Sequence, residues 1–222
     1  MLGAELNRLR SLSGVKWTAN DPDVVPSWVA DMDFQSPAAV VEALQNRVQH
    51  GVFGYTEASA ALKNTLVARM KSFYNWDIQP DDLVFFPGVV AGLNLCCAGL
   101  LQEDEAAVTA TPVYHPFFAA PENQKRELKR FPMSYDAGAW QFPMNALERA
   151  SAGNSRLLML CNPFNPIGRT LTQTELEAIV DISVQNDLVI CSDEIHCDLV
   201  LDGRPHIPIA SISEAAAERT IT

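Results

Sequence analysis

Arg156-Leu157-Leu158-Met159-Leu160-Cys161, the turn Asn162-Pro163-Phe164-Asn165-Pro166-Ile167-Gly168, and Leu188-Val189-Ile190-Cys191-Ser192 running into Asp193-Glu194-Ile195-His196 decide the fold. The first and last of these runs are apolar without polar alternation, the mark of strands covered on both faces. Between them Thr172 to Asn186 reads as an amphipathic helix, opened by a capping box in which Thr172 stands three residues before Glu175. Strand, turn, helix and strand in that order make one βαβ unit of a parallel sheet.

The same alternation extends toward the N-terminus. Leu83–Phe86 reads as a short strand, Val90 to Leu101 as a helix, Ala106–Ala110 as a strand and Pro116–Gln124 as a helix. Leu128–Phe131 reads as a strand and Met144–Ala150 as a short helix. Toward the C-terminus, Asp198–Leu201 reads as a strand and Arg219–Thr222 as the start of another. Upstream, Ala58 to Tyr74 carries Leu62, Leu66 and Met70 at helical spacing. A further helix opens at Ser36-Pro37, Ser as N-cap, places Val40, Val41, Leu44 and Val48 on one face and closes at Gly51. The first thirty-five residues are mostly irregular, with Pro22, Pro26 and Pro37 as breaks. The fold class is therefore α/β, a mostly parallel sheet with helices on both faces.

A chain of 222 residues, 48% hydrophobic, has material for a real core, and one or two domains are open. No apolar run reaches membrane-spanning length. The opening Met1-Leu2-Gly3-Ala4-Glu5 has no apolar signal core, and Gly3 stands one place too late for myristoylation. The formal net charge of −11 disfavours a nucleic-acid partner, and the basic cluster Lys125–Arg130, interrupted by Glu127, reads as a solvated helix end. Five cysteines, an odd number with Cys96 and Cys97 adjacent, argue for a reducing cytoplasm over a disulfide framework. Cys191, His196 and Cys197 match no common zinc spacing, so no metal is expected.

In parallel sheets ligands bind beyond the carboxyl ends of the strands. Four segments stand there: Pro87-Gly88-Val89-Val90, Thr111-Pro112-Val113-Tyr114, Asn162–Pro166 and Asp193-Glu194-Ile195-His196. They offer a helix start with backbone N–H groups for a phosphate, an aromatic ring for stacking, an amide, and a carboxylate followed by an imidazole. Together these suit a flat, phosphorylated, nitrogen-containing ring. Taken singly, Gly88 reads equally as a turn, Tyr114 as a packing residue, Asn165–Gly168 as an ordinary turn and His196 as a structural histidine. Their order and common edge carry the reading.

The chain resembles the pyridoxal-phosphate-dependent aminotransferase class I/II superfamily of fold type I, and within it the cystathionine β-lyase (cysteine-S-conjugate β-lyase) group. The resemblance runs from about Lys16 onward. It rests on Trp28-Val29-Ala30-Asp31-Met32-Asp33-Phe34, Gly51–Thr56, Thr111–Phe117, Asn165-Pro166-Ile167-Gly168 and Ser192–His196. It implies that Val89 and Val90 bind the cofactor phosphate, Tyr114 stacks on the ring, Asn165 bonds its phenolic oxygen, Asp193 pairs with its nitrogen and His196 lies on the phenolic side. Tyr55 would reach the phosphate of a neighbouring subunit, implying a homodimer, and Ala30 and Asp31 would lie near an amino-acid substrate. Residues 1–50 would belong to a small domain and residues 51–222 to an incomplete cofactor-binding domain.

The lysine that holds the cofactor in this family is expected beyond Thr222, because Lys16, Lys63, Lys71, Lys125 and Lys129 all precede Asp193. The resemblance therefore implies a fragment inactive by itself, with no catalytic residue of its own and with an exposed apolar edge. For the longer protein it implies cleavage of L-cystathionine or another cysteine S-conjugate to a thiol, pyruvate and ammonia. An aminotransferase on the same scaffold, or a non-catalytic binding or regulatory module if the short chain is native, stay open.

Overall fold

The computed structural model describes residue 9, residues 14–21 and residues 23–222. The readings at Met1–Glu5, Gly3 and Pro22 lie outside them. The chain divides into two compact units, Met1–Glu57 and Ala58–Thr222.

In the first unit, helix α1 is the single turn Val15–Thr18 and α2 spans Ala38–His50. Helix α2 ends at Gly51 in the left-handed conformation, φ 70°, as its glycine predicts. Its start differs from expectation: Pro37 takes the N-cap place and no side chain caps the helix. None of its residues is buried, and Val40, Val41, Leu44 and Val48 are exposed, since a unit this short has little core of its own. The unit's polar anchor is Lys16, which is buried. Its Nζ donates to the Asp31 carbonyl at 2.6 Å and to Asp33 Oδ2 at 2.8 Å, while Trp17 Nε1 donates to Asp33 Oδ1 at 2.9 Å.

The second unit opens with α3, Ala60–Tyr74, where Ser59 Oγ accepts the Leu62 N–H and Asn75 closes the helix at φ 50°. Then come α4 (Val89–Leu100), β1 (Ala106–Thr111), α5 (Pro116–Asn123) and β2 (Glu127–Pro132). The hairpin β3 (Ser134–Asp136) and β4 (Ala139–Gln141) follows, then α6 (Met144–Ser151), β5 (Ser155–Cys161), α7 (Gln173–Gln185), β6 (Val189–Asp193), α8 (Glu214–Arg219) and β7 (Thr220–Ile221). Five strands form one sheet in the order β2-β1-β5-β6-β7, every neighbouring pair parallel.

The chain leaves β1 toward β2 on one side and later adds β5 and β6 on the other. Right-handed crossovers then put the connecting helices on opposite faces. Accordingly α4 packs with α5 and over β5 and β6, while α6 packs with α7, and α7 with α8. The core lies between these layers. It holds Leu93, Cys97 and Phe117 with Val108, Leu157, Leu158 and Ile190, and on the other face Leu147, Leu176 and Ile179. Each large apolar side chain fully buried here contributes roughly 1.5–3 kcal/mol. Thr109, polar within a buried strand, is satisfied by donating to the Met159 carbonyl at 2.9 Å.

Two expected strands are absent among the described residues. Leu83–Phe86 is not a strand: it has no ladder partner, and three of its four residues are exposed. Asp198–Leu201 gives way to a single 3-10 turn at Cys197–Leu199, closed by the Leu199 N–H on the His196 carbonyl. The β3–β4 hairpin was not anticipated from sequence. Its two-residue turn places Ala137 and Gly138 at φ 49° and 82°, as a tight hairpin requires.

Candidate functional site

The sheet's connectivity reverses direction between β1 and β5, and a crevice opens beyond the carboxyl ends of strands at such a point. Registers fix what stands there. Cys161, last in β5, pairs with Asp193, last in β6, and the Asn162 N–H continues the ladder onto the Asp193 carbonyl at 3.0 Å. Val108 pairs with Leu158, so β1 ends at Thr111 level with Cys161. Tyr114, Asn165, Asp193 and His196 therefore follow or end three adjacent strands at one edge.

Helix α4 returns to the same edge. Its twelve residues rise about 18 Å, close to the roughly 20 Å spanned by a six-residue strand. The short link Leu101–Glu105 joins its C-terminus to the start of β1, so its N-terminus reaches back toward the strand's carboxyl end. Gly88 caps it with φ 96° and ψ 152°, a conformation open essentially to glycine alone. No side chain caps this end and its first turn carries no acid, so the Val89 and Val90 N–H groups stand at an uncapped helix start, a place that favours an anion. One turn further on, Gly92 lets the Phe86 ring lie against the helix, where a Cβ would stand 2.6 Å from it.

Asp193 is the centre of the site's electrostatics. It is 7% exposed, its Oδ1 accepts the Ile195 N–H at 3.1 Å, and its second oxygen has no donor among the described residues. Burial pushes its carboxyl above the ordinary aspartate range and adjacent Glu194 adds to this, while the Ile195 N–H and His196 act the other way. A buried carboxylate so placed calls for a cationic partner. A protonated ring nitrogen supplies one, and the residues present fit pyridoxal phosphate on this ground.

Tyr114 is half-buried, its ring edge-on to His115 at 4.9 Å. The Asn165 backbone N–H donates to Cys161 Sγ at 3.4 Å, and its side-chain amide makes no hydrogen bond among the described residues. Buried Asn162 accepts the Leu171 N–H on Oδ1 and leaves its Nδ2 unpaired. The structure thus brings together Val89, Val90, Tyr114, Asn165, Asp193 and His196 at one edge. Ala30, Asp31 and Tyr55 belong to the first unit and are exposed.

Sequence reasoning passed over the residues that brace this edge. Glu194 Oε2 is 2.6 Å from His206 Nε2, and its Oε1 accepts Ser192 Oγ at 2.8 Å and the Ile209 N–H at 3.1 Å. Tyr74 donates its one hydroxyl hydrogen to Asp198, Cys197 Sγ lies 3.3 Å from the hydroxyl oxygen, and Arg69 pairs with Asp198 at 2.6 Å. The available signal was a second acid directly after Asp193, with a histidine downstream among Pro205, Ile207 and Pro208.

A parallel sheet covered on both faces, with this set at its carboxyl edge, is the large-domain architecture of fold-type I pyridoxal-phosphate-dependent enzymes. The chain belongs to the aminotransferase class I and II family, whose model matches residues 15–221. It is 35% identical over 201 residues to the cystathionine β-lyase PatB of Bacillus subtilis, covering 90% of this chain and 52% of that protein. Among solved structures it resembles OvoB, with 43% identity and a TM-score of 0.90 over 94% of this chain and 55% of that one. It also resembles cystalysin of Treponema denticola, described with a pyridoxal 5'-phosphate cofactor, with 34% identity and a TM-score of 0.90 over 95% of this chain and 56% of that one. The chain spans about half the length of these relatives. No helix among the described residues is long and apolar enough to cross a membrane.

Proposed function

We propose that this chain carries the cofactor-binding part of a cytoplasmic pyridoxal-phosphate-dependent carbon–sulfur β-lyase, which cleaves L-cystathionine or another cysteine S-conjugate to a thiol, pyruvate and ammonia. The observation that carries the reading is Asp193, buried at the end of β6 with one carboxylate oxygen left without a donor among the described residues. Bound pyridoxal phosphate supplies an electron-accepting ring that stabilises negative charge at the substrate α-carbon. Asp193 keeps a proton on the ring nitrogen. The Val89 and Val90 N–H groups hold the phosphate, Tyr114 covers one ring face, and Asn165 and His196 orient the phenolic side. Ala30 and Asp31 line the substrate's approach, and Tyr55 serves the phosphate of a second copy in a homodimer of the full-length protein. Residues 1–50 form part of a small domain and residues 51–222 the cofactor-binding domain.

The names of relatives support lyase chemistry, PatB and the Corynebacterium glutamicum protein both being called cystathionine β-lyases. The Mycobacterium tuberculosis N-succinyldiaminopimelate aminotransferase, 28% identical over 193 residues, keeps transamination as the second reading. Mixing cystathionine with the protein in its host's full-length form and measuring pyruvate without added keto acid separates the two. Pyruvate release is expected, and a strict requirement for a keto acid overturns the lyase reading.

A further inference from the structure

We propose that Glu194 and His206 are a buried positioning pair that sets the aim of Asp193 and His196, so that the proton on the cofactor's ring nitrogen depends on two residues that do not touch the cofactor. The inference rests on the reading of Asp193 given above. Glu194 is 9% exposed and His206 4%. Three donors from three places meet on the Glu194 carboxylate: Ser192 Oγ from β6, the His206 ring, and the Ile209 N–H from the 3-10 turn Ile209–Ser211. Bonds to a buried carboxylate are charge-assisted and costly to lose.

The imidazole is itself fixed. Its Nδ1 is buried with no partner among the described residues, so a hydrogen there would find no acceptor, and the ring serves Glu194 as an Nε2–H donor. The Tyr74 ring meets it edge-on at 5.7 Å. Tyr74 also bonds Asp198, its hydroxyl lies against Cys197 Sγ, and the Cys197 N–H returns to the Glu194 carbonyl at 2.9 Å. The six residues Asp193–Asp198 are thus pinned at Glu194 and again at Cys197 and Asp198. Asp193, aimed by the Ile195 N–H, and His196 lie on this braced turn. Small losses of aim at such a site carry large consequences.

The test uses the whole chain with pyridoxine 5'-phosphate, which has no aldehyde and reports non-covalent contacts alone. Ring-nitrogen protonation is read by 15N NMR against pH, with affinity from ligand fluorescence and folding from circular dichroism. The groups facing Asp193 are His196, Glu194 and the thiols of Cys161 and Cys191. The wild type is expected to hold the ring proton to a higher pH than free ligand. Loss of one charge-assisted bond in His206→Leu lowers that midpoint by about one pH unit and weakens binding about tenfold. His206→Gln, which returns an amide donor toward Glu194, stays within about threefold of wild type. A folded His206→Leu protein with the wild-type midpoint overturns the proposal. If His206→Leu does not fold, Ser192→Ala decides: a lowered midpoint supports the pair and an unchanged one overturns it. Failure of the wild type to bind, or a ring titrating as it does in solution, overturns the reading of Asp193 itself and the inference with it.

Discussion

At the residue scale, Asp193 sets ligand chemistry against stability. Burial raises its carboxyl pKa in the folded chain, so the fold takes up protons more readily than the unfolded chain does. A raised carboxyl pKa costs nothing at acid pH, where both states are protonated, and stability falls as pH rises from the ordinary aspartate value through the folded one. Asp193→Asn keeps an acceptor for the Ile195 N–H and removes the charge. The ligand-free variant is expected to match wild type near pH 3, below the ordinary aspartate value, and to gain roughly 1 kcal/mol at pH 7. For a chain of this size that is about 2–4 °C in Tm by thermal circular dichroism. The same variant is expected to lose ring-nitrogen protonation of bound ligand. Equal melting of the two proteins at pH 7 would sink the account of the buried charge. Gly88 makes the opposite case, because nothing stands within 4 Å of an added Cβ, yet φ 96° excludes a side chain. Gly88→Ala is expected to cost about 1–3 kcal/mol in urea unfolding through backbone strain alone.

At the element scale, what could be read in advance was whatever rests on local chemistry. The capping box at Thr172 is present, with the Glu175 N–H on Thr172 Oγ1 at 3.3 Å and the Thr172 N–H on Glu175 Oε2 at 2.9 Å. Burial pushes the Glu175 carboxyl up, but the bonds from Thr172 and Arg169 outweigh it and leave the pKa lowered. That stabilisation is complete above the ordinary glutamate value and is lost as pH falls through the lower folded one. Thr172→Ala is expected to cost about 1 kcal/mol at pH 7, and its difference from wild type should shrink in acid. A gap that stays constant from pH 7 to pH 3 would count against the bond from Thr172 Oγ1 to Glu175 Oε2 at 2.9 Å, which the variant also removes. The buried strands β1, β5 and β6 were legible for a similar reason, since unbroken apolar runs have few alternatives. Leu83–Phe86 is also apolar but has no ladder partner among the described residues, and a partner is a non-local fact that no local pattern contains. The turn at Cys197–Leu199 is shaped by Tyr74 and Arg69, more than 120 residues upstream, and by Glu194. The positions of Tyr114, Asn165 and Asp193, each following or ending a buried strand, could be read from sequence order, whereas Gly88 reaches the same edge through helix α4 and not through the strand expected at Leu83–Phe86. The bracing of that edge by His206 did not follow, because a lone histidine between prolines has no period to betray its partner.

At the scale of the whole molecule, a charge of −11 is set against apolar surface that the described residues leave uncovered. Val84, Phe85 and Phe86 are exposed on an unpaired extended segment, and Val90 and Leu95 are exposed on α4. Unpaired extended backbone beside apolar side chains is a template for pairing with another copy. Like charge holds copies apart over roughly 10 Å at 0.1 M salt and over less at higher salt. The two effects predict a direction. Sedimentation of the chain is expected to give a mass near 24.4 kDa in dilute buffer, rising as sodium chloride is added, since screening weakens repulsion while apolar contact persists. Phe85→Glu places a charge in the template and is expected to hold the mass near the monomer value across the same salt series. If wild type and Phe85→Glu associate alike, the contact lies elsewhere, and α2 with its exposed Val40, Val41, Leu44 and Val48 becomes the surface to vary next. Association that weakens with salt would instead mean that ion pairs, not apolar segments, join the copies.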